Sequence, residues 1–118
     1  MNGITHIVNW SSTAKCHSFT DIQYLCYFNI RSPKEMQNHV DELDEAVEYI
    51  ASARASGGKA MSHCWYGRNR SVTLLVAYLM KYEKLSSEEA LVVVQKTRPK
   101  AAPYQNVLDA YRERYLMN

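Results

Sequence analysis

The sequence predicts an α/β fold, a central mixed β-sheet flanked by helices, on three observations. Short β-rich runs alternate with segments of helical period early in the chain. Helical period alone dominates the later part. The length of 118 residues suits one domain with a core of moderate size, and no internal repeat, low-complexity tract or linker divides it. Residues 1–118 therefore read as a single domain.

The elements follow in order. ITHIVN, residues 4–9, reads as a short buried strand, with a polar loop rich in serine after it. IQYLCYF, residues 22–28, is β-branched and aromatic and gives a second strand. NIRSPKEMQN reads as a loop because of Pro33. From Asn38 onward Val40, Leu43, Val47 and Ile50 recur at helical spacing. That predicts an amphipathic helix to about Ala55, ended by Gly57 and Gly58. Asp41 and Asp44 are expected on its solvated side. KAMSH, residues 59–63, gives a third strand, and an apolar, central helix follows from Ser71 to Tyr82. Ser86 and Glu89 form a capping-box pattern ahead of ALVVVQ. After Pro99 and Pro103 a last helix runs from Val107 to about Tyr115, with Leu108, Tyr111 and Tyr115 on one side.

Composition narrows the function classes. A hydrophobic fraction of 47% and a charged fraction of 22% exclude disorder of the whole chain. A net charge of +2 is too small for a nucleic-acid footprint, so any anion preference has to come from local geometry. Cys16, Cys26 and Cys64 match neither a disulfide framework nor metal-ligand spacing. An intracellular protein with reduced thiols, cytoplasmic or nuclear, is expected, with Cys16 and Cys26 as small buried apolar side chains and no cofactor. No run approaches the ~20 apolar residues of a membrane span, and MNGITHIVN lacks a signal-peptide pattern.

The chemistry concentrates in SHCWYGRNRSVTLL, residues 62–75, at the seam between the third strand and the apolar helix. A loop that enters a helix N-terminus presents unpaired backbone N–H groups and the positive end of the helix dipole. Together these make an anion site. Gly67 allows a tight turn and close approach of the backbone to a ligand. Arg70 adds a planar fork suited to a tetrahedral oxyanion such as phosphate. A thiol at the base of such a cradle is stabilised as the thiolate, and cysteines at helix N-termini reach pKa values of roughly 3.5 to 7.5. Cys64 would then face the phosphorus of a bound ester as a nucleophile. Ser71 can donate to the sulfur and help it leave, and the imidazole of His63 can fix the loop. A cysteine after a strand is by default a small buried apolar residue. The joint placement of His63, Cys64, Gly67, Arg70 and Ser71 is what sets Cys64 apart.

HCWYGRNRS resembles the signature of the cysteine-dependent protein tyrosine phosphatases: histidine, cysteine, five residues, arginine, serine. TLLVAYLMKYEKLSSEEALVVVQKTRP, GITHIVNWS and DELDEAVEYIASARASGGKAMSHC are similar to the dual-specificity branch, so the likeness runs from about Gly3 to about Tyr115. The resemblance implies a catalytic domain with a shallow pocket that admits phosphotyrosine as well as phosphoserine or phosphothreonine. It implies Cys64 as nucleophile, Arg70 as phosphate clamp and Ser71 as an aid to breakdown of the intermediate. The phosphate loop would be the backbone of Trp65, Tyr66, Gly67, Arg68, Asn69 and Arg70, and Asn9 would buttress it. A phosphorylated protein is the implied partner.

Three departures qualify these expectations. The family's aspartic general acid falls near Arg31 to Lys34, where this chain has no carboxylate; Glu35 is the nearest and Asp41 the next candidate. The strand-helix segment that usually precedes GITHIVN is missing from the sequence. Trp65 and Tyr66 are bulky for the loop, and Arg68 is basic. General acid catalysis contributes ~10² to 10⁴-fold, so a slow phosphatase biased toward aryl phosphates is expected. The alternatives are a phosphatase-like module that captures phosphoproteins with little turnover and, less well matched, a rhodanese-like domain, whose cysteine loop usually lies nearer the end of the chain.

Overall fold

The structure is a computed structural model that describes residues 3–10, 22–27, 30–63 and 69–117, with His63 described by its backbone alone. Three four-residue strands form the sheet: β1 (His6–Asn9), β2 (Gln23–Cys26) and β3 (Ala60–His63). Their order is β2-β1-β3, and both pairings are parallel. The α/β fold class holds. The antiparallel member of a mixed sheet is not found among the described strands, because a long connection separates each strand from the next and returns it in the same direction. The register aligns Cys26, Asn9 and His63 across the carboxyl ends of the three strands.

The segment around Pro33 departs from the expected loop. It forms a short helix, α1 (Pro33–Asn38). Proline fits the first helical position because its missing N–H would have no partner there. The hydroxyl of Ser32 accepts from the N–H of Glu35 at 3.1 Å and caps the helix. Asn106 holds α1 in place by donating to the carbonyl of Pro33 at 3.1 Å and to the side chain of Gln37 at 2.9 Å.

The long amphipathic helix is α2 (Val40–Ala55), which buries Leu43, Ala46, Val47, Ile50 and Ala53. Gly57 stops it at φ +84°, a left-handed conformation that glycine adopts without penalty. The N–H of Gly57 bonds the carbonyl of Arg54 and the N–H of Gly58 that of Ala53, closing the last turn. A side chain at Gly58 would meet the hydroxyl of Thr5 at 2.5 Å and the carbonyl of Ala53 at 2.9 Å, so β3 starts close beside β1 only with glycine there.

The apolar helix α3 (Arg70–Tyr82) buries Val72, Leu74, Val76, Ala77 and Met80 and packs on α2, α4, α5 and β3. Each fully buried aliphatic side chain contributes about 1.5–3 kcal/mol, which makes α3 the centre of the core. The capping box forms as expected at α4 (Ser87–Gln95): Ser86 accepts from the N–H of Glu89, whose carboxylate accepts from the N–H of Ser86. The last helix, α5 (Gln105–Tyr111), buries Val107, Leu108 and Tyr111, then widens into a π-turn over Arg112–Leu116. No helix among the described residues is long and apolar enough to cross a membrane.

Candidate active site

In a parallel sheet, ligands gather outside the carboxyl ends of the strands. Here each strand delivers a distinctive residue to that end. Trp10 follows β1, Tyr27 follows β2 and Cys64 follows β3. Trp10 is fully buried, and its ring stacks on that of Tyr27 with centroids 4.6 Å apart. The hydroxyl of Tyr27 donates to the carbonyl of Glu42 and to the carboxylate of Glu45 on α2. Burial, reinforced by Glu45, pushes this phenol far above its usual range, so it stays protonated and donating. An aromatic wall thus joins β1 and β2 to α2 at the carboxyl end of the sheet.

Arg70, the first residue of α3, reaches the same end. Its Nη1 donates to the carbonyl of Trp10 at 2.6 Å and to that of Ile30 at 3.1 Å. These bonds fix the guanidinium between the segments that follow β1 and precede α1. They also occupy both hydrogens of Nη1, so the two-pronged edge for a phosphate is Nε and Nη2. Both partners are neutral carbonyls, and Arg70 has no carboxylate partner among the described residues. Its positive charge is held in place without being neutralised.

Of the other residues expected at the site, Asn9 is buried at the end of β1 and hydrogen-bonded, as a buttress must be. Ser71 is fully buried in the first turn of α3, beside Arg70. Asn69 stands at the N-cap of α3. Cys64, Trp65, Tyr66, Gly67 and Arg68 lie outside the described residues, as do Cys16 and the side chain of His63. Cys26 corrects one expectation: it is disulfide-bonded rather than a buried free thiol. An odd number of cysteines argues against a full framework and leaves room for a single pair.

The carboxylates also differ from expectation. Glu35 is the third residue of α1, so it belongs to a capped helix and not to a loop free to swing. Arg31 is exposed where the family's acid would fall, and Ser32 serves as the cap of α1. Asp41 is exposed as expected; its partners are Arg114, whose Nε donates at 2.6 Å, and the hydroxyl of Tyr115. Hydrogen bonds from Tyr115 and Arg114 hold it below the usual carboxylate range. Asp44 is not on the solvated side. It accepts from the hydroxyl of the buried Tyr111 at 2.6 Å and from Lys81 at 2.9 Å. Both aspartates are therefore engaged with the carboxyl-terminal helical region.

Sequence reasoning did not find the aromatic wall or the carbonyl partners of Arg70. The one available signal was an aromatic residue directly after each of two strands, Trp10 and Tyr27.

The chain matches the family described as dual specificity phosphatase, catalytic domain, over residues 1–113. It is 36% identical over 114 residues to dual specificity protein phosphatase 22-B of Danio rerio, covering 94% of this chain and 61% of that one. It is 36% identical over 100 residues to dual specificity protein phosphatase 1 of Arabidopsis thaliana, covering 85% of this chain and 50% of that one. The chain thus spans between half and two thirds of the length of these two relatives. The crystal structure of the human tyrosine phosphatase-like serine/threonine/tyrosine-interacting protein superposes with a TM-score of 0.86 at 26% identity, covering 98% of this chain and 80% of that one. With the signature at the carboxyl end of the sheet, an arginine fixed there and a family match over nearly its whole length, the chain belongs to the dual-specificity phosphatase family.

Proposed function

We propose that this chain is a protein phosphatase that hydrolyses phosphotyrosine, and phosphoserine or phosphothreonine on the same loop, in phosphorylated proteins. The observation that carries the reading is the un-neutralised guanidinium of Arg70, fixed by the carbonyls of Trp10 and Ile30 at the start of α3. A phosphate dianion above the loop receives that charge together with the backbone amides of Trp65 to Arg70.

The thiolate of Cys64 attacks phosphorus, the P–O bond to the side chain breaks, and the electron pair leaves on the departing oxygen. Water then attacks the cysteinyl-phosphate, the S–P bond breaks, and inorganic phosphate and the Cys64 thiolate are regenerated. Ser71 donates to the sulfur as it leaves. The departing oxygen has no aspartic acid to protonate it: Arg31 stands in that region, and Glu35 is built into α1. An aryl oxygen leaves without such help far more readily than an alkyl oxygen, so phosphotyrosine is the favoured substrate and turnover is slow.

A second reading draws on the same missing acid: a module that binds phosphoproteins with little turnover. The likeness to a phosphatase-like interacting protein supports it. Steady-state hydrolysis of matched phosphotyrosine and phosphothreonine peptides separates the two, with Cys64→Ser as the blank. The enzyme reading predicts phosphotyrosine turnover above that blank; saturable binding with turnover equal to the blank would select the module. Wild type and Glu35→Gln, assayed on a series of aryl phosphates across pH 5 to 8, report on the acid. Steep dependence on leaving-group pKa in both is expected. A flat dependence in wild type that becomes steep in Glu35→Gln would instead make Glu35 the acid.

A further inference from the structure

Asparagine is among the best N-cap residues, because its side-chain oxygen normally accepts from the second or third N–H of the helix it starts. Asn69 is the N-cap of α3 and makes no such bond. Its Nδ2 instead donates to the carbonyl of Ala102 at 2.7 Å, 33 residues further along the chain. A second bond ties the same two segments: the N–H of Tyr104 donates to the hydroxyl of Thr73 at 2.9 Å. That hydroxyl donates in turn to the backbone carbonyl of Asn69 at 2.7 Å. Ala101, beside these contacts, is buried and fixes the 101–104 strap against the core.

The consequence lies at the start of α3. A capping side chain and a bound phosphate would compete for the same first-turn amides, since both present an oxygen to them. A residue that caps well, left free, would fill the anion site with its own oxygen. The strap prevents this by drawing the amide of Asn69 away, and the turn next to Arg70 keeps its amides for the ligand.

We propose that Asn69 is a positioning residue of the phosphate loop: held by the carbonyl of Ala102, it keeps the α3 N-terminus uncapped so that substrate phosphate, and the thiolate of Cys64 below it, receive those amides. The inference rests on the phosphate-loop reading above, and it concerns anion binding and thiolate stability, not the later chemical steps.

The test uses the reduced full chain and three variants. Asn69→Ala loses the tether and cannot cap. Asn69→Ser loses the tether and caps well. Asn69→Asp loses the donor, is repelled by the carbonyl of Ala102 and caps with a full negative charge. Three quantities are read: the Kd of inorganic phosphate, from protection of Cys64 against iodoacetamide; the pH midpoint of Cys64 alkylation; and Tm. Phosphate Kd should rise in the order Ala, Ser, Asp, about threefold for Ala and more than tenfold for Asp. The alkylation midpoint should move upward in the same order. Tm should not follow that order, because Ser and Asp are better caps than Ala.

Kd and midpoint that stay within twofold and 0.2 pH units (about a 1.6-fold change in ionisation ratio) for all three variants would overturn the proposal. So would changes that track Tm alone, which would mark Asn69 as merely structural. If wild-type Cys64 gains no protection from phosphate, this inference and the phosphatase reading fall together. If phosphate protects but no phosphopeptide is turned over, the phosphatase reading fails and the role of Asn69 stands or falls on the variant series.

Discussion

Two cations of α3, Arg70 at its first residue and Lys81 near its last, are both tied down, and by opposite means. Lys81 donates to Asp44 at 2.9 Å and lies 2.7 Å from a carboxylate oxygen of Glu48. Tyr111 and Tyr82 brace those carboxylates by donating to Asp44 at 2.6 Å and to Glu48 at 2.7 and 2.8 Å. Burial pushes the Lys81 ammonium down, and the hydrogen bonds to Glu48 and Asp44 outweigh it, so the amine sits above its usual value. Its charge is satisfied on the spot. Arg70 is gripped as firmly, by two neutral carbonyls. The first arrangement joins α2, α3 and α5. The second fixes a position and leaves a charge for a ligand. How a cation is held, more than how tightly, separates a structural site from a functional one.

Arg70→Lys breaks this comparison most severely. Lysine keeps the charge and loses the planar fork and the span between the carbonyls of Trp10 and Ile30. We expect kcat/KM for an aryl phosphate to fall by roughly 10²-fold or more, the scale of losing an oriented oxyanion donor. A change below twofold would show that Arg70 is not the clamp.

Asp44→Ala probes the other cation and should do the reverse. It leaves the buried hydroxyl of Tyr111 without its acceptor and removes one of the two carboxylates at Lys81, at about 2 kcal/mol. Tm should drop by roughly 5–10 °C while kcat/KM per folded molecule stays within twofold. A loss of activity with unchanged Tm would mean that the two cation sites are not separate.

Mild acid sharpens the comparison with a smaller effect. Lys81 and Tyr82 hold Glu48 below its ordinary value of 4.5 through hydrogen bonds, and the backbone and side chain of Ser86 do the same for Glu89. A carboxyl group with a depressed folded pKa contributes its stability fully above the unfolded value and loses it as pH falls through the folded one. Tm followed by circular dichroism should be flat from pH 7 to about pH 5 and should decline below about pH 4. Glu48→Gln should soften that decline. The carbonyl partners of Arg70 do not titrate, so its grip should persist over the same range; a decline unaffected by Glu48→Gln would place the acid sensitivity elsewhere.

The contrast also explains what the sequence discloses. The helical period from Val40 to Ile50, the pair Ser86 and Glu89, and the glycines after Ala55 are local signals, and the elements they announce are present. The helix at Pro33 had a local signal too: serine, then proline at a first helical position, then glutamate. It was outweighed by the usual reading of proline as a breaker. The signature marked Arg70 and Asn69, because a cysteine, a glycine and an arginine at fixed offsets answer one local demand. What holds them was not legible. Trp10, Ile30 and Ala102 lie 60, 40 and 33 residues away and act through backbone carbonyls, which every residue possesses. Asp44 was read as solvated for the same reason: an acid on an amphipathic helix is exposed unless distant residues such as Lys81 and Tyr111 come to meet it.

The central claim is that Cys64 forms a covalent bond to phosphorus under the hold of Arg70. Rapid mixing of the reduced chain with p-nitrophenyl phosphate tests it most directly. Two chemical steps with breakdown of the cysteinyl-phosphate as the slower one predict a burst of nitrophenol with an amplitude close to one equivalent of enzyme, and acid quenching during turnover should trap phosphate on the peptide that contains Cys64. Cys64→Ser should show neither. Turnover that proceeds with no phosphate trapped on that peptide, or that survives in Cys64→Ser, would contradict the account.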